Sequence, residues 1–368
     1  MSKTYRVGII GSTNRGNYGH GLDNVWRDIE QGEVVAVADD HAEGLAAAVE
    51  RTGAGTGYAD YHEMLKREQL DIVTIAPRWI NQHRDMVLAA AEQGCHIYLE
   101  KPFCRSLEEA DEIVNACEMR HIKLAIAHTN RYSPTRFAVE KLIADGVIGD
   151  VLELRARGKE DRRGGAEDLW VLGTHMLDLM RAFAGDVASC YATMSENGQP
   201  VTKSHVQTGR EGLGPLAGDF VNARYTFQNN MVGYFGSKRN RKGEPSRFGI
   251  QIFGSKGVVE ITSGYAKTAY LLKDPAWSPG RTGSEWVPVS SQGIGKPETI
   301  EAGHNAANIA ALTDLIESIE TDRQPKSSVY DARAATEMIF AVFESHRQQG
   351  PVTFPLQNRK HPLTMLEG

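Results

Sequence analysis

Residues 5–16 read YRVGIIGSTNRG, an apolar stretch that runs into a turn rich in glycine. The apolar part predicts a buried strand, Tyr5–Ile10. Gly11 and Gly16 then take the first and third positions of a GxGxxG pattern, in which small residues let the backbone approach a pyrophosphate, and Thr13 stands at the second. An ordinary strand-to-helix turn is the alternative. The candidate cofactor-binding residues of this turn are Gly11, Ser12, Thr13 and Gly16.

An acidic residue, Asp39, follows the second predicted strand, Val34–Ala38, about 20 residues past the turn. A carboxylate at this position can accept hydrogen bonds from both ribose hydroxyls of an adenosine. Together with Asp40 it would repel a 2′-phosphate, so the pattern favours NAD over NADP. The alternative is that Asp39 caps the helix that follows.

The first third of the chain alternates apolar strands with amphipathic helices, which predicts a parallel sheet covered on both faces. The further strands are predicted at Ile72–Ala76, His96–Leu99 and Lys123–Ala127, and the helices at Asp23–Ile29, Ala42–Arg51, Asp60–Arg67, His83–Gln93 and Leu107–His121.

The pattern changes near residue 128, where strands with period-two alternation succeed one another. These strands are Val151–Arg157, Ala188–Ser195, Phe220–Phe227, Met231–Lys238, Phe248–Gly254, Gly257–Thr262 and Ala269–Leu272, with surface loops at 197–218 and 275–297. We therefore predict an α/β Rossmann domain over residues 1–127. An α+β domain with a large, mainly antiparallel open sheet follows over residues 128–368.

Composition narrows the class of protein. The chain has 368 residues, 41% hydrophobic and 24% charged, with a net charge of −6, which fits a soluble globular protein and argues against nucleic acid or an anionic membrane as partner. Four cysteines without a CxxC pair predict reduced thiols. With no leader or apolar span in the sequence, a cytoplasmic location is expected. The twelve histidines show neither HxH nor HExxH spacing and no GxSxG occurs, so no metal is expected.

The tripeptide Glu100-Lys101-Pro102 directly follows the strand His96–Leu99, where open α/β sheets place their ligand crevice. Proline restricts the backbone of Lys101 and permits a cis bond, which fixes where the ammonium points. Such a lysine can polarise a substrate oxygen. On its own the tripeptide is more typical of a surface turn.

Several motifs in order resemble the glucose–fructose oxidoreductase / inositol dehydrogenase / rhizopine catabolism family of sugar and cyclitol oxidoreductases. The resemblance covers the first ~180 residues well and, loosely, the two helices that the sequence predicts near the end of the chain, Asn305–Thr321 and Asp331–Gln348. The motifs are GIIG at 8–11, VAVAD at 35–39, YADYHEML at 58–65, IAP at 75–77 with His83, EKP at 100–102, AHTNRY at 127–132, IGD at 148–150 and GTHMLDL at 173–179.

The resemblance implies that Lys101 lies near the nicotinamide and the reacting hydroxyl, and that His175 is the acid/base residue. Histidine suits this role because its reference pKa is about 6.5. The resemblance also adds Pro77, His83, Glu100 and Lys101 to the candidate cofactor site.

One position departs from the family pattern. The family usually has an aspartate four residues before this histidine, and Val171 stands there. Asp168 or Glu167 can take over the role, or Asp178 can orient the ring from one turn further on. Alternatively the proton relay is missing, and the chemistry is altered or lost.

The segment RARGKEDRRGG at 155–165 is dense in charge. It is either a solvated loop or a mobile clamp in which Lys159 and Arg163 donate hydrogen bonds to substrate. Trp170 offers a flat face to a sugar ring or packs in the core. The remaining candidate substrate-binding residues, expected at the junction between the domains, are His128, Asn130, Arg131 and Tyr132, with Asp178 added from the motif.

Three functions remain open. The first is NAD-dependent oxidation of a secondary hydroxyl of a sugar, cyclitol or glycoside. The second uses a transient oxidation to eliminate a glycosidic substituent, and the third is non-catalytic binding of a dinucleotide or sugar, consistent with Val171 and Thr13. The apolar alternation of Val221, Ala223 and Tyr225 also predicts a face that needs a cover, and hence a homodimer or homotetramer.

Overall fold

The computed structural model describes residues 3–264, 268–300 and 304–367. Within this part the chain forms two compact units. The first contains the residues up to Thr129 together with Gly209–Gly214 and His304–Thr336, and the second contains the rest. A single cut between residues 127 and 128 therefore does not describe the division, because the later chain returns twice to the first unit.

The first unit contains a six-stranded sheet, with all neighbouring strands parallel, in the order β3-β2-β1-β4-β5-β6. This is the strand order of a dinucleotide-binding Rossmann fold. Continuous apolar runs in the sequence produce this parallel sheet. Strand β4, for example, is buried at every residue, as expected of a strand that is covered on both faces. The strands are β1 (Tyr5–Ile10), β2 (Gly32–Ala38), β3 (Thr56–Tyr58), β4 (Ile72–Ile75), β5 (His96–Leu99) and β6 (Leu124–Ile126).

Helices flank this sheet. They are α1 (Ala42–Thr52), α2 (Tyr61–Arg67), α3 (His83–Glu92) and α4 (Leu107–Met119). The predicted helix Asp23–Ile29 is wrong as an α-helix: only a single 3-10 turn, Val25–Asp28, forms there. The predicted parallel α/β domain is otherwise confirmed, and β3 is a strand that the sequence pattern did not indicate.

The second unit is built on an eleven-stranded sheet, antiparallel except where β7 pairs with β13. This confirms the predicted large antiparallel sheet. In chain order the elements are α5 (Pro134–Ala144), β7 (Val151–Arg157), α6 (Ala166–Val171), α7 (Gly173–Ala184), β8 (Val187–Glu196), β9 (Gln199–Pro200), β10 (Gln207–Thr208), β11 (Pro215–Leu216), β12 (Phe220–Phe227), β13 (Val232–Lys238), β14 (Gly249–Gly254), β15 (Gly257–Thr262), β16 (Ala269–Leu272), α8 (Pro279–Thr282), β17 (Trp286–Ser290) and β18 (Gly293–Ile294).

Two long helices and a short strand end the chain: α9 (His304–Glu320), α10 (Val329–Gln348) and β19 (Val352–Thr353). Helix α9 belongs to the first unit and lies along β5 and β6. Helix α10 starts in the first unit and continues in the second. No helix in the described ranges is long and apolar enough to cross a membrane.

Two expectations about the second unit are wrong. The residues taken as an exposed apolar face, Val221, Ala223 and Tyr225, are at most 5% exposed, and the Tyr225 hydroxyl donates to the carbonyl of Met338 on α10 (3.0 Å). Helices of the same chain already cover this face. The region 275–297, taken as a loop, contains β17, which pairs with β16; Pro288 in its middle weakens the strand signal because proline lacks an N–H.

Candidate active site

The glycine-rich turn after β1 is a compact loop with no α-helix behind it. Gly16 has φ +96°, and a Cβ there would lie 2.4 Å from the backbone nitrogen of Arg78. A Cβ on Gly11 would lie 2.1 Å from the ring of Tyr18. Both positions therefore require glycine. Since α1 is the first α-helix after β1, the phosphate-binding amides expected at a helix N-terminus have to come from the loop itself.

Asp39 is 2% exposed, and its carboxylate is already engaged inside the domain. It accepts hydrogen bonds from the backbone and hydroxyl of Thr13 (2.7 Å from Oγ1), from the Tyr18 hydroxyl (2.9 Å) and from the His41 amide (3.0 Å). Burial, followed by the charge of Asp39, raises the pKa of Tyr18. Ribose hydroxyls would thus share or replace donors that Asp39 already has.

The side chain of Thr13 explains how this chain tolerates a residue larger than glycine in the turn. Its hydroxyl points to Asp39, and a Cβ on Gly44 of α1 would lie 2.0 Å from Thr13 Oγ1. Thr13 is therefore directed onto α1. A cavity lined by Gly11, Ser12 and Asp39 opens at the carboxyl ends of β1 and β2, where the fold binds the adenosine half of a dinucleotide.

His83 is fully buried at the start of α3, and both ring nitrogens face backbone carbonyls. Nε2 lies 2.7 Å from the oxygen of Pro77, and Nδ1 lies 2.9 Å from that of Pro102. Burial lowers the pKa of His83, although these carbonyls oppose the shift. His83 thus ties the loop after β4 to the loop after β5. The Lys101–Pro102 bond between them is cis, as the sequence allowed.

Lys101 leaves the end of β5 beside a buried carboxylate. Glu100 is 0% exposed, its Oε1 lies 2.9 Å from His20 Nδ1, and Lys101 Nζ lies 3.9 Å from the same oxygen. Burial by itself would raise the pKa of Glu100, but His20 and Lys101 outweigh it and hold the pKa below its ordinary value. The carboxylate is therefore ionised next to the lysine.

In the second unit, Asp168 is buried and organises the charged loop before it. Its Oδ2 accepts from Ser237 Oγ (2.5 Å) and from the Glu160 amide (3.0 Å). Burial raises the pKa of Asp168, and Ser237 only partly offsets this. A Cβ on Gly158 would lie 2.1 Å from the same oxygen. Asp168 therefore holds the loop 158–165 through Oδ2.

Asp178 has a strong partner of its own. Its carboxylate accepts hydrogen bonds from Nε and Nη2 of Arg131, at 2.9–3.0 Å, and the two side chains are buried. Such a planar two-point pairing fixes both groups. His175 stands in the first turn of α7 and is 9% exposed, and Val171 before it is buried.

Other substrate candidates differ in their surroundings. Arg163 pairs with Asp161 (2.7 Å), and Lys159 Nζ lies 3.9 Å from the same carboxylate. Asn130 donates to Ser263 Oγ (3.2 Å), and His128 and Tyr132 are buried.

The prediction of Trp170 as a flat platform for a sugar ring is wrong. Its side chain is 0% exposed and packs edge-on against Phe340, with ring centroids 5.7 Å apart. Its place in the core follows from its position on a helix that covers the sheet.

Sequence reasoning missed the residues that support the candidate groups. They are polar, buried or half-buried residues that hydrogen-bond to the candidate groups or to one another. The turn GNYGHG at 16–21 could have indicated Tyr18 and His20 as supporting residues, because large polar side chains are unusual in a phosphate-binding turn. The missed residues are Tyr18, His20, Tyr98, Ser237 and Asn308.

Comparison with protein families gives two matches. Residues 5–128 match the GFO_IDH_MocA model, described as an oxidoreductase family with an NAD-binding Rossmann fold, and residues 138–260 match the GFO/IDH/MocA C-terminal domain. The two models together match more than half of the chain.

Curated relatives include D-apiose dehydrogenase of Paraburkholderia graminis, 32% identical over 219 residues, which is 56% of this chain and 56% of the relative. Levoglucosan dehydrogenase of Pseudarthrobacter phenanthrenivorans is 26% identical over 248 residues, covering 61% and 63%. These two matches therefore span less than two thirds of the relatives' length. Myo-inositol 2-dehydrogenase of Thermotoga maritima is 24% identical over 272 residues, covering 73% and 78%.

Among solved structures, levoglucosan dehydrogenase in complex with NADH and L-sorbose superposes with a TM-score of 0.79 at 20% identity, covering 96% of this chain and 100% of that one. An oxidoreductase from Agrobacterium radiobacter in complex with NAD+, L-tartaric acid and magnesium gives 0.73 at 19% identity, covering 95% and 98%. At such identities the likeness demonstrates the fold.

Proposed function

The chain belongs to the GFO/IDH/MocA family of oxidoreductases, whose first domain is an NAD-binding Rossmann fold, and on this premise we propose that it oxidises a secondary hydroxyl of a sugar, cyclitol or glycoside with NAD. The observation that carries the proposal is Lys101, which leaves a central parallel strand beside the ionised, buried Glu100. Relatives named dehydrogenases of D-apiose, levoglucosan and myo-inositol support this substrate class.

Lys101 and His175 are the proposed catalytic residues. The Lys101 ammonium stabilises negative charge that develops on the substrate oxygen, and His175 accepts the hydroxyl proton. NAD, when bound, accepts the hydride from the carbon. His175 is proposed to act without a carboxylate at position 171, because Val171 is apolar. Asp168 supports the loop 158–165 by its hydrogen bonds to that loop.

NAD is proposed to bind at the carboxyl ends of β1 and β2, in the cavity described above. Gly11, Ser12 and Gly16 would hold the pyrophosphate through backbone groups, and Asp39 would meet the ribose. The cavity wall also includes Asp40, but Arg15 pairs with that carboxylate, so Asp39 is the main negative charge set against a 2′-phosphate. This charge favours NAD over NADP.

Most of the proposed substrate contacts come from the second unit. We propose that Lys159 and Arg163 donate hydrogen bonds to substrate from the charged loop, since Asp161 keeps both cations on the same side of it. His128, Asn130, Arg131 and Tyr132 are the further proposed pocket residues. Asp178 acts through Arg131 by fixing its guanidinium.

The test is the absorbance of NADH with purified protein, NAD and a panel of sugars, cyclitols and glycosides. Net NADH formation on at least one polyol is expected. Mass spectrometry on the same panel detects cleavage of a glycoside without net NADH, which would instead support oxidation followed by elimination. Tight binding of NAD with no product by either method would overturn both enzymatic readings.

A homo-oligomer is proposed through the outer face of the large sheet. Across three strands, Tyr191, Arg224 and Tyr234 lie in register, and Arg155 continues the row on β7. Tyr191 and Tyr234 are 47% and 40% exposed. Tyrosine and arginine are enriched at protein interfaces, whereas such a row is unusual on a free surface.

Replacing Tyr234 by lysine is expected to dissociate the oligomer, because it sets a third cation beside Arg155 and Arg224. Light scattering across a concentration series measures the mass. Met119→Lys, at a 70% exposed residue of the first unit, is the matched control and should not change it. A monomeric mass for the unaltered protein would contradict the proposal.

A further inference from the structure

His20, Glu100 and Lys101 lie together in the first unit, with the imidazole and the ammonium both close to one carboxylate oxygen. His20 Nδ1 lies 2.9 Å from Glu100 Oε1, and Lys101 Nζ lies 3.9 Å from that same oxygen. The carboxylate is fully buried and the lysine side chain 9% exposed, whereas the histidine side chain is 33% exposed. A single carboxylate oxygen therefore lies near both the imidazole and the ammonium, and the imidazole belongs to the more exposed side chain.

The backbone of this loop is held close to the carboxylate. Gly19 has φ +59°, and a Cβ there would lie 2.7 Å from Glu100 Oε2. The His20 carbonyl accepts from Asn308 Nδ2 (3.3 Å), and Asn308 Oδ1 accepts from the Tyr98 hydroxyl (2.8 Å). Tyr98 and Asn308 are buried. The position of the His20 ring is thus fixed through its backbone as well as through Glu100.

Besides His20, the groups near Glu100 in the described part of the chain include Lys101, His83 and Tyr98. Burial lowers the pKa of His83 and raises that of Tyr98 well above its ordinary value, so both stay uncharged. Of the two histidines near Glu100, His20 is the one whose side chain reaches solvent, at 33% exposed, whereas His83 is fully buried.

We propose that His20 is a positioning residue for Lys101, and that its protonation, transmitted through Glu100, loosens the hold of the carboxylate on the ammonium. This inference rests on the proposed function of Lys101. In the neutral imidazole with a proton on Nδ1, the ring donates to Glu100, and the carboxylate charge remains available to Lys101. A second proton on Nε2 makes the ring a cation that competes for that charge.

The activity test compares His20→Asn, which keeps an N–H donor and cannot titrate, with His20→Ala, which has no donor. At pH 8, His20→Asn should retain kcat within about twofold, and His20→Ala should lose about tenfold, because a hydrogen bond to a charged group is lost. On the acid side, log kcat/KM against pH should fall with a slope of about 2 in the unaltered enzyme and about 1 in His20→Asn.

A measurement without turnover tests the coupling directly. In protein labelled with 13C at the lysine ε-carbon, the Lys101 resonance, assigned by its absence from Lys101→Met, should move between pH 5 and 8. It should stay fixed in His20→Asn and move in His121→Asn, which replaces an exposed histidine in a left-handed conformation that asparagine tolerates.

The possible results distinguish a failure of the role of His20 from a failure of the proposed function of Lys101. A Lys101 resonance that moves equally in the unaltered protein and in His20→Asn overturns the role of His20, even if Lys101→Met abolishes turnover. Full turnover by Lys101→Met overturns the proposed function, whether or not the resonance is coupled to His20. An unchanged acid limb in His20→Asn also contradicts the positioning role.

Discussion

Lys101→Met is expected to lower kcat by about 10³-fold, the usual contribution of a positioned group that stabilises charge or transfers a proton. The methionine keeps the length of the side chain and removes its charge. Because Glu100 stays buried next to position 101, the variant also leaves this carboxylate with one cation fewer. NADH formation on the best substrate of the panel measures the effect.

Binding of NADH, followed by its fluorescence, should change little in Lys101→Met, which separates lost chemistry from lost folding. Lys66→Met, at an exposed lysine of α2, is the matched control and should keep full activity. His175→Asn should lose activity to a similar extent, with partial recovery at alkaline pH, where hydroxide takes the substrate proton. A Lys101→Met enzyme within about tenfold of normal kcat would remove Lys101 from the mechanism.

The second large effect is expected on stability. Asp178→Ala leaves the Arg131 guanidinium buried without its carboxylate, and breaking a buried ion pair from one side costs about 3–5 kcal/mol. The Arg131 and Asp178 side chains are 11% and 0% exposed, so water cannot easily replace the lost partner. Urea unfolding measures the change in the free energy of unfolding of the second unit.

An exposed ion pair in the same unit provides the control. Lys141 and Asp145 lie 2.9 Å apart, with side chains 75% and 52% exposed, so Asp145→Ala should cost less than about 1 kcal/mol. Arg131→Met combined with Asp178→Leu should be less damaging than Asp178→Ala alone, because no unpaired buried charge remains. Equal losses for the buried and the exposed pair would contradict this account.

The first domain was largely predictable. The strands β1 and β5 begin and end where the apolar runs predicted, since a strand buried on both faces needs a continuous run that solvent-exposed elements do not show. The family resemblance rested on motifs in this same region and is confirmed by the matching family models. The prediction of an α-helix over Asp23–Ile29 was wrong, and only the 3-10 turn Val25–Asp28 forms there. Helical periodicity over so few residues does not overcome the cost of nucleating an α-helix.

The second domain was predictable in type and less so in detail. Period-two alternation indicates which residues of β12 share a face of the sheet. It does not indicate which other part of the chain covers that face. Val221 and Tyr225 were therefore assigned to an exposed surface, although the chain's own helices bury them. The same lack of information placed Trp170 at a sugar-binding surface, whereas it packs against Phe340.

The sequence by itself determined the two classes of sheet, the glycine turn, Asp39 at the end of β2 and Lys101 at the end of β5, because local patterns of burial and chain geometry specify these features. Only the tertiary structure decided the partners of the polar groups. Asp168 pairs with Ser237, and Asn308 returns from α9 to the loop of His20. Such contacts join residues far apart in the chain, and a buried polar group takes whichever partner the packed elements bring within hydrogen-bond distance.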